Sequence, residues 1–310
     1  MASNEIEILD PAAMVEMEKK NAAGRALDRR RFIAALGFTG AAAGAGLMSG
    51  CSTSNSVAVS TPTTSAQTDV LNFVLNIKFL LATFYSFVTQ GADLTGSAVT
   101  GSGVVTNAPA AKLTFATQQI TDLFNEIYYD EKNHVTTLYS LLGSGVVSRP
   151  AINLAAFGSI TATNAIAIAR LLEDVSVTAY AGAITGLSTS DVTITSQVLG
   201  TDGFHSGALR LLSIQNPTLA TYIKADSLDV APVDSNSATV SAAGPTAAGA
   251  FFATAGATTS NASTPAGFAF IRSTSQALAI LFGGPGTPAG PGTTSGGFFP
   301  SGVNGNIKSV

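Results

Sequence analysis

The 310-residue chain has no tryptophan, two histidines and one cysteine, and only 11% of its residues are charged. A single cysteine excludes an internal disulfide. Net charge is -4, and no basic patch or aromatic-basic interleaving runs along the sequence, which argues against a nucleic-acid partner. Scarce charge with abundant Ala, Gly, Ser and Thr is unusual for a cytosolic enzyme and suits an envelope protein. The 46% hydrophobic content is ample for a buried core.

Strong apolar runs are missing near the N-terminus. Asp28-Arg29-Arg30-Arg31-Phe32-Ile33 precedes an uncharged, glycine-interrupted stretch from Ala34 to Gly50, too weakly apolar for a good membrane span. The pattern resembles a twin-arginine export signal, with Arg29 and Arg30 as the pair. A buried helix with a basic start is the other reading, but its glycines would weaken it. Leu47-Met48-Ser49-Gly50-Cys51 looks like a lipobox, although Met48 is not the preferred residue at its position. The alternatives for Cys51 are a lipidated anchor or an ordinary cysteine near a cleavage site. Residues 1-51 are thus expected to be a signal peptide, and 52-68 a Ser/Thr-rich linker. The expected destination is the periplasm or cell envelope, with a membrane tether if Cys51 is lipidated.

Residues 69-224 read as four long helices. The first, Asp69 to Gln90, carries the stripe Leu71, Val74, Lys78, Leu81, Tyr85 and Val88. The second runs from about Lys112 to Leu142, before a C-cap at Gly143, with Leu113, Ala116, Ile120, Phe124, Ile127, Glu131, His134, Leu138 and Leu141 inward. The third starts after Pro150 and runs to about Ile184, with Ile166, Ala169, Glu173, Val177, Tyr180 and Ile184 inward. The fourth, Ser190 to Ile214, turns Val198, Asp202, His205, Leu209 and Leu212 inward. The segments 91-111 and 225-265 read as loops, the latter anchored by Phe251 and Phe252, and a short helix covers about Ser273 to Phe282.

Six ionisable groups interrupt these apolar stripes: Lys78, Glu131, His134, Glu173, Asp202 and His205. Burying charge costs several kcal/mol or more unless it is paired or metal-bound. Each histidine follows an acid by three positions, so each pair shares a helix face. Two acid-x-x-His pairs plus a carboxylate from each remaining helix build the di-metal site of ferritin-like bundles. Asp130 and Asp174, next to the candidate ligands, are expected to face outward or to support them.

Leu71-Asn72-Phe73-Val74-Leu75-Asn76, Asp130-Glu131-x-x-His134-Val135, Glu173-Asp174-Val175 and Gly200-Thr201-Asp202-x-x-His205 resemble the ferritin-like, desiccation-related family. So do Arg272-Ser273-Thr274-Ser275-Gln276 and Gly296-Gly297-Phe298-Phe299-Pro300-Ser301-Gly302 in the tail. The resemblance implies an all-α, ferritin-like four-helix bundle, with residues 225-310 as a loop-rich extension packed on it. It also implies a Glu where this chain has Lys78, further acids where it has Leu81 and Thr83, and Glu in place of Asp202.

A complete site sets four carboxylates against two divalent cations. Here three carboxylates and one ammonium leave -2, which matches one divalent metal (Fe or Mn), with the metal-free state as the alternative. Lys78, a donor without an acceptor, is expected to bridge Glu131 and Glu173. Three functional classes follow: an envelope protein with a degenerate metal site, tied to stress or desiccation as the family name implies; an oxidase, ferroxidase or peroxide scavenger; or a scaffold. Beyond the membrane, the expected association is a homo-oligomer.

Overall fold

The computed structural model describes residues 64-99, 101-229 and 271-310. Arg29, Arg30 and Cys51, with the export and lipidation signals expected there, lie outside the described residues, as do the expected loop anchors Phe251 and Phe252. Four long helices make the bundle: α1 Thr64–Gln90, α2 Gln118–Leu142, α3 Ala165–Ala183 and α4 Thr189–Gln215. α1 packs mainly on α2 and α3, and α3 mainly on α4. A fifth helix, α5 Thr274–Phe282, lies against α3.

The middles of the periodic stripes fall inside as the sequence predicts, whereas Ala116 is exposed and Leu113, Leu141, Val177 and Ile184 are only half-buried. All six α1 positions, from Leu71 through Lys78 to Val88, are buried, as are Phe124, Ile127, Leu138, Ile166, Val198 and Leu209. Local chemistry sets the helix ends. Thr117 accepts a hydrogen bond from the Ile120 amide, and Ser188 one from the Asp191 amide, so each caps its helix with a side-chain oxygen. Gly143 ends α2 at φ 54, a left-handed angle that a residue without Cβ adopts freely. Ser273 and Gln276 form a reciprocal capping box at the start of α5.

Three boundaries differ from expectation. α1 begins at Thr64, inside the expected linker. α2 begins at Gln118 rather than Lys112, because the Leu113 amide bonds the Val88 carbonyl and holds the preceding irregular segment against the end of α1. α3 begins at Ala165, not just after Pro150. The intervening residues instead form β2 Ile152–Asn153, paired in parallel with β1 Val105–Thr106, followed by turns. Ile152, Leu154, Phe157 and Ile160 are still buried, so an apolar pattern that reads as helix is satisfied by an irregular segment.

α1 has the length and apolarity of a bilayer-spanning helix, but 89% of that window is buried inside the fold. Every residue from Leu71 to Ser86 is buried, including those off the predicted stripe. A helix apolar all round needs cover all round. Part of that cover comes from the C-terminal tail: the Asn76 amide donates to the Asn304 carbonyl at 2.8 Å, and the Asn304 backbone amide donates back to Asn76 Oδ1 at 3.2 Å. Asn72 ties the same helix to the Gly145–Val147 turn through two further backbone bonds.

Candidate metal centre

One inward group on α1, two on α2, one on α3 and two on α4 meet at mid-bundle. Lys78, Glu131, Glu173 and Asp202 are completely buried, and His134 and His205 nearly so. Seven-residue spacing places Tyr85 one layer from Lys78 on α1, and Tyr180 one layer from Glu173 on α3, and both phenols are buried too.

Lys78 does not bridge Glu131 and Glu173 as the sequence suggests. Its Nζ lies 2.9 and 3.0 Å from the two Glu131 oxygens and 2.6 Å from each Asp202 oxygen. Asp202 sits close enough because the Ser176 hydroxyl, one turn beyond Glu173, draws its Oδ2 to 2.8 Å. His134 completes this half of the site: its Nδ1 is 3.1 Å from Glu131 Oε1 and 3.5 Å from Asp202 Oδ1.

The other half is unlike it. Among the described residues, both Glu173 oxygens and His205 Nδ1 are buried without a hydrogen-bond partner. His205 Nδ1 stands 3.6 Å from Glu131 Oε1 and 3.7 Å from Glu173 Oε1, too far for a direct bond. Its other nitrogen, Nε2, lies 3.2 Å from Asp130 Oδ2. Asp130 is partly exposed and orients the ring. Asp174 belongs elsewhere: Arg170, Arg210 and Ser206 bind its carboxylate in a separate buried network.

The electrostatics divide along the same line. Burial would lower the Lys78 pKa, but the Asp202, Glu131 and Glu173 carboxylates outweigh it and keep the ammonium charged. Burial would likewise raise Glu131, yet Lys78 and the histidines hold it well below the usual carboxylate range. Glu173 has no such cation in contact. Burial and the neighbouring Glu131 charge push it up to about 7, with His205 only partly offsetting them. His205 is pulled down by burial and pushed up by Glu173, Asp130 and Glu131, reaching about 12. Burial also raises Tyr85 and Tyr180, so both phenols stay neutral.

One ligand atom each from Glu131, Glu173, Asp202 and His205 lies within 4.8 Å of the others. Unpaired buried carboxylate and imidazole atoms are costly. A divalent cation between Glu131, Glu173 and His205 would satisfy them, with Nε2–H of His205 turned to Asp130 as ligating histidines require. The residues present therefore fit one metal. The Lys78 ammonium lies between Glu131 and Asp202.

Tyr85, Tyr180 and Ser176 are the site residues that composition alone does not reveal. Helical spacing from Lys78 and Glu173 is the signal that finds them. Residues 66–215 match the family model of the ferritin-like domain, and the all-α bundle is a ferritin-like one. No curated protein matches the sequence.

Proposed function

We propose that this ferritin-like bundle belongs to an exported envelope protein that binds one divalent metal, iron or manganese, beside a fixed internal cation. Glu131, Glu173 and His205 hold the metal, with Asp202 and His134 completing the surround and Lys78 standing where a second metal would sit. The observation that carries this reading is the asymmetry of the core: Lys78 contacts four carboxylate oxygens, while among the described residues Glu173 and His205 Nδ1 have no hydrogen-bond partner. Three carboxylates and one ammonium sum to -2, so a single divalent ion neutralises the cluster.

Iron or manganese suits a set of carboxylates with imidazole, and when bound supplies Lewis acidity or one-electron chemistry. The protein's part is to exclude water, fix the ligands and hold Lys78 charged. Paired-metal reduction of dioxygen or peroxide needs two metals side by side, which Lys78 opposes. A protective role in stress or desiccation, as the resemblance implies, fits a one-metal site better than turnover does. Export through the twin-arginine route, which carries folded proteins, allows loading before secretion, and Cys51 would tether the product.

The second reading is a metal-free scaffold, favoured by the same Lys78 network, which already joins α1, α2 and α4. Elemental analysis of the purified protein separates the two. About one equivalent of metal per chain supports the centre, none supports the scaffold, and two equivalents overturn both.

A further inference from the structure

Of the six clustered side chains, only the two histidines reach water. Lys78, Glu131, Glu173 and Asp202 have no side-chain exposure, whereas His134 keeps 11% and His205 6%. His134 stands on α2 and His205 on α4, with ring centroids 6.3 Å apart. Their two helices form the loosest seam of the bundle, touching far less than the other neighbouring pairs. A surface groove follows this seam, lined by Asp122 and Glu126 from α2 and by Ala208 and Leu211 from α4.

The groove carries charge of one sign. Asp122, Glu126 and Asp130 follow one another at four-residue spacing, which sets them in a single row on α2, about 6 Å apart along the helix. Asp122 and Glu126 are exposed, and Asp130, 38% exposed, ends the row at His205 Nε2, 3.2 Å away. The Gln118 amide bonds Asp122 Oδ1 and leaves its charge in place. α4 has no lysine, and its one arginine, Arg210, is buried against Asp174. The one lysine of α2, Lys132, lies over the Tyr128 ring. Like charges at this spacing destabilise a helix, so the row has a cost that nothing in the seam offsets. Its inner end faces ligand atoms: one imidazole ring separates Asp130 from His205 Nδ1 and the Glu173 oxygens, which are buried with no hydrogen-bond partner among the described residues.

We propose that the α2–α4 seam is the entry route by which hydrated divalent cations reach the buried centre, drawn along Asp122, Glu126 and Asp130 and admitted between His134 and His205. The inference rests on the metal reading above and adds to it the route and the form of metal accepted. A cleft lined by charge of one sign beside low-dielectric walls concentrates counter-ions and raises association rates by about 10–10^3-fold, an effect that salt weakens. The α4 side supplies the low-dielectric wall, with Phe204 and Leu211 exposed on it. An ion moving down the row exchanges its water for carboxylate oxygens stepwise, rather than shedding the whole shell at the mouth of a dry core. The same row repels anionic complexes of the metal, so the free cation is the form taken up.

Cobalt(II) uptake by the metal-free full chain, followed by stopped-flow absorbance, tests the route. Asp122→Asn combined with Glu126→Gln should slow uptake about tenfold at low salt, the lower end of the range for charge steering, while affinity in chelator competition changes far less. Raising the ionic strength should slow the native chain and narrow the difference. Asp69→Asn combined with Asp191→Asn removes the same charge elsewhere on the bundle and should leave the rate as it was. An unchanged rate in the seam variant, or equal slowing in the control, would overturn the route and leave the metal centre standing. A native chain that takes up no cobalt would overturn the metal reading and the route together.

Discussion

At the residue scale, one substitution decides the character of the core. A lysine among buried carboxylates supplies the compensating charge that a metal would otherwise bring. Removing it with Lys78→Met should destabilise the metal-free protein by about 3–5 kcal/mol, because carboxylates then remain buried and unpaired. Added divalent metal should recover part of that loss in a thermal melt. Lys78→Glu should raise the bound metal from one equivalent to two, as read by elemental analysis, by restoring the missing ligand. Asp130 works at one remove. Asp130→Asn should weaken metal binding about 10–100-fold, read by competition with a chelator, because His205 Nε2 loses the carboxylate that orients it. Most of this cluster is readable from the chain: six charged or imidazole groups fall on apolar stripes, and all six meet. Which carboxylates Lys78 chooses is not readable. That choice depends on Ser176 drawing Asp202 across the bundle, a contact between helices that periodicity does not encode.

At the element scale, helical spacing identified the interiors of α1 to α4, and the three-residue acid-to-histidine spacing placed each pair on one face. Ends were harder to see. The segment before α3 carries enough apolar residues to read as helix, yet Asn153 binds the tail through the Gly297 carbonyl and its own amide binds the Phe298 carbonyl. Contacts with residues far along the chain thus override local propensity. The close approach of the tail to α3 is equally invisible in the pattern. A Cβ added at Gly182 would stand 2.1 Å from the Arg272 carbonyl oxygen, while the Arg272 amide donates to the Thr178 carbonyl. Gly182→Ala should therefore cost about 1–3 kcal/mol in denaturant unfolding, a typical penalty for overpacking. Wild-type stability in that variant would contradict the docking of this segment on α3.

At the scale of the whole molecule, the tail closes the bundle as a working part of the fold. α1 is buried on every side, and residues 71 to 86 stay out of water because α2, α3 and the tail surround them. Phe298 and Phe299 are fully buried, and Phe298 stacks on Phe157 at 5.1 Å. Deleting residues 271–310 should expose this surface and make the remaining bundle aggregate in size-exclusion chromatography; a monodisperse truncated chain would contradict the account. The core itself is filled unequally, Lys78 on one side and unpartnered ligand atoms on the other. The most direct test is a crystal structure with anomalous maps collected at the iron and manganese edges. The account predicts one peak, between Glu131, Glu173 and His205, with the Lys78 nitrogen at the opposite side of Glu131. Two peaks flanking Glu131, with Lys78 displaced from the carboxylates, would contradict it.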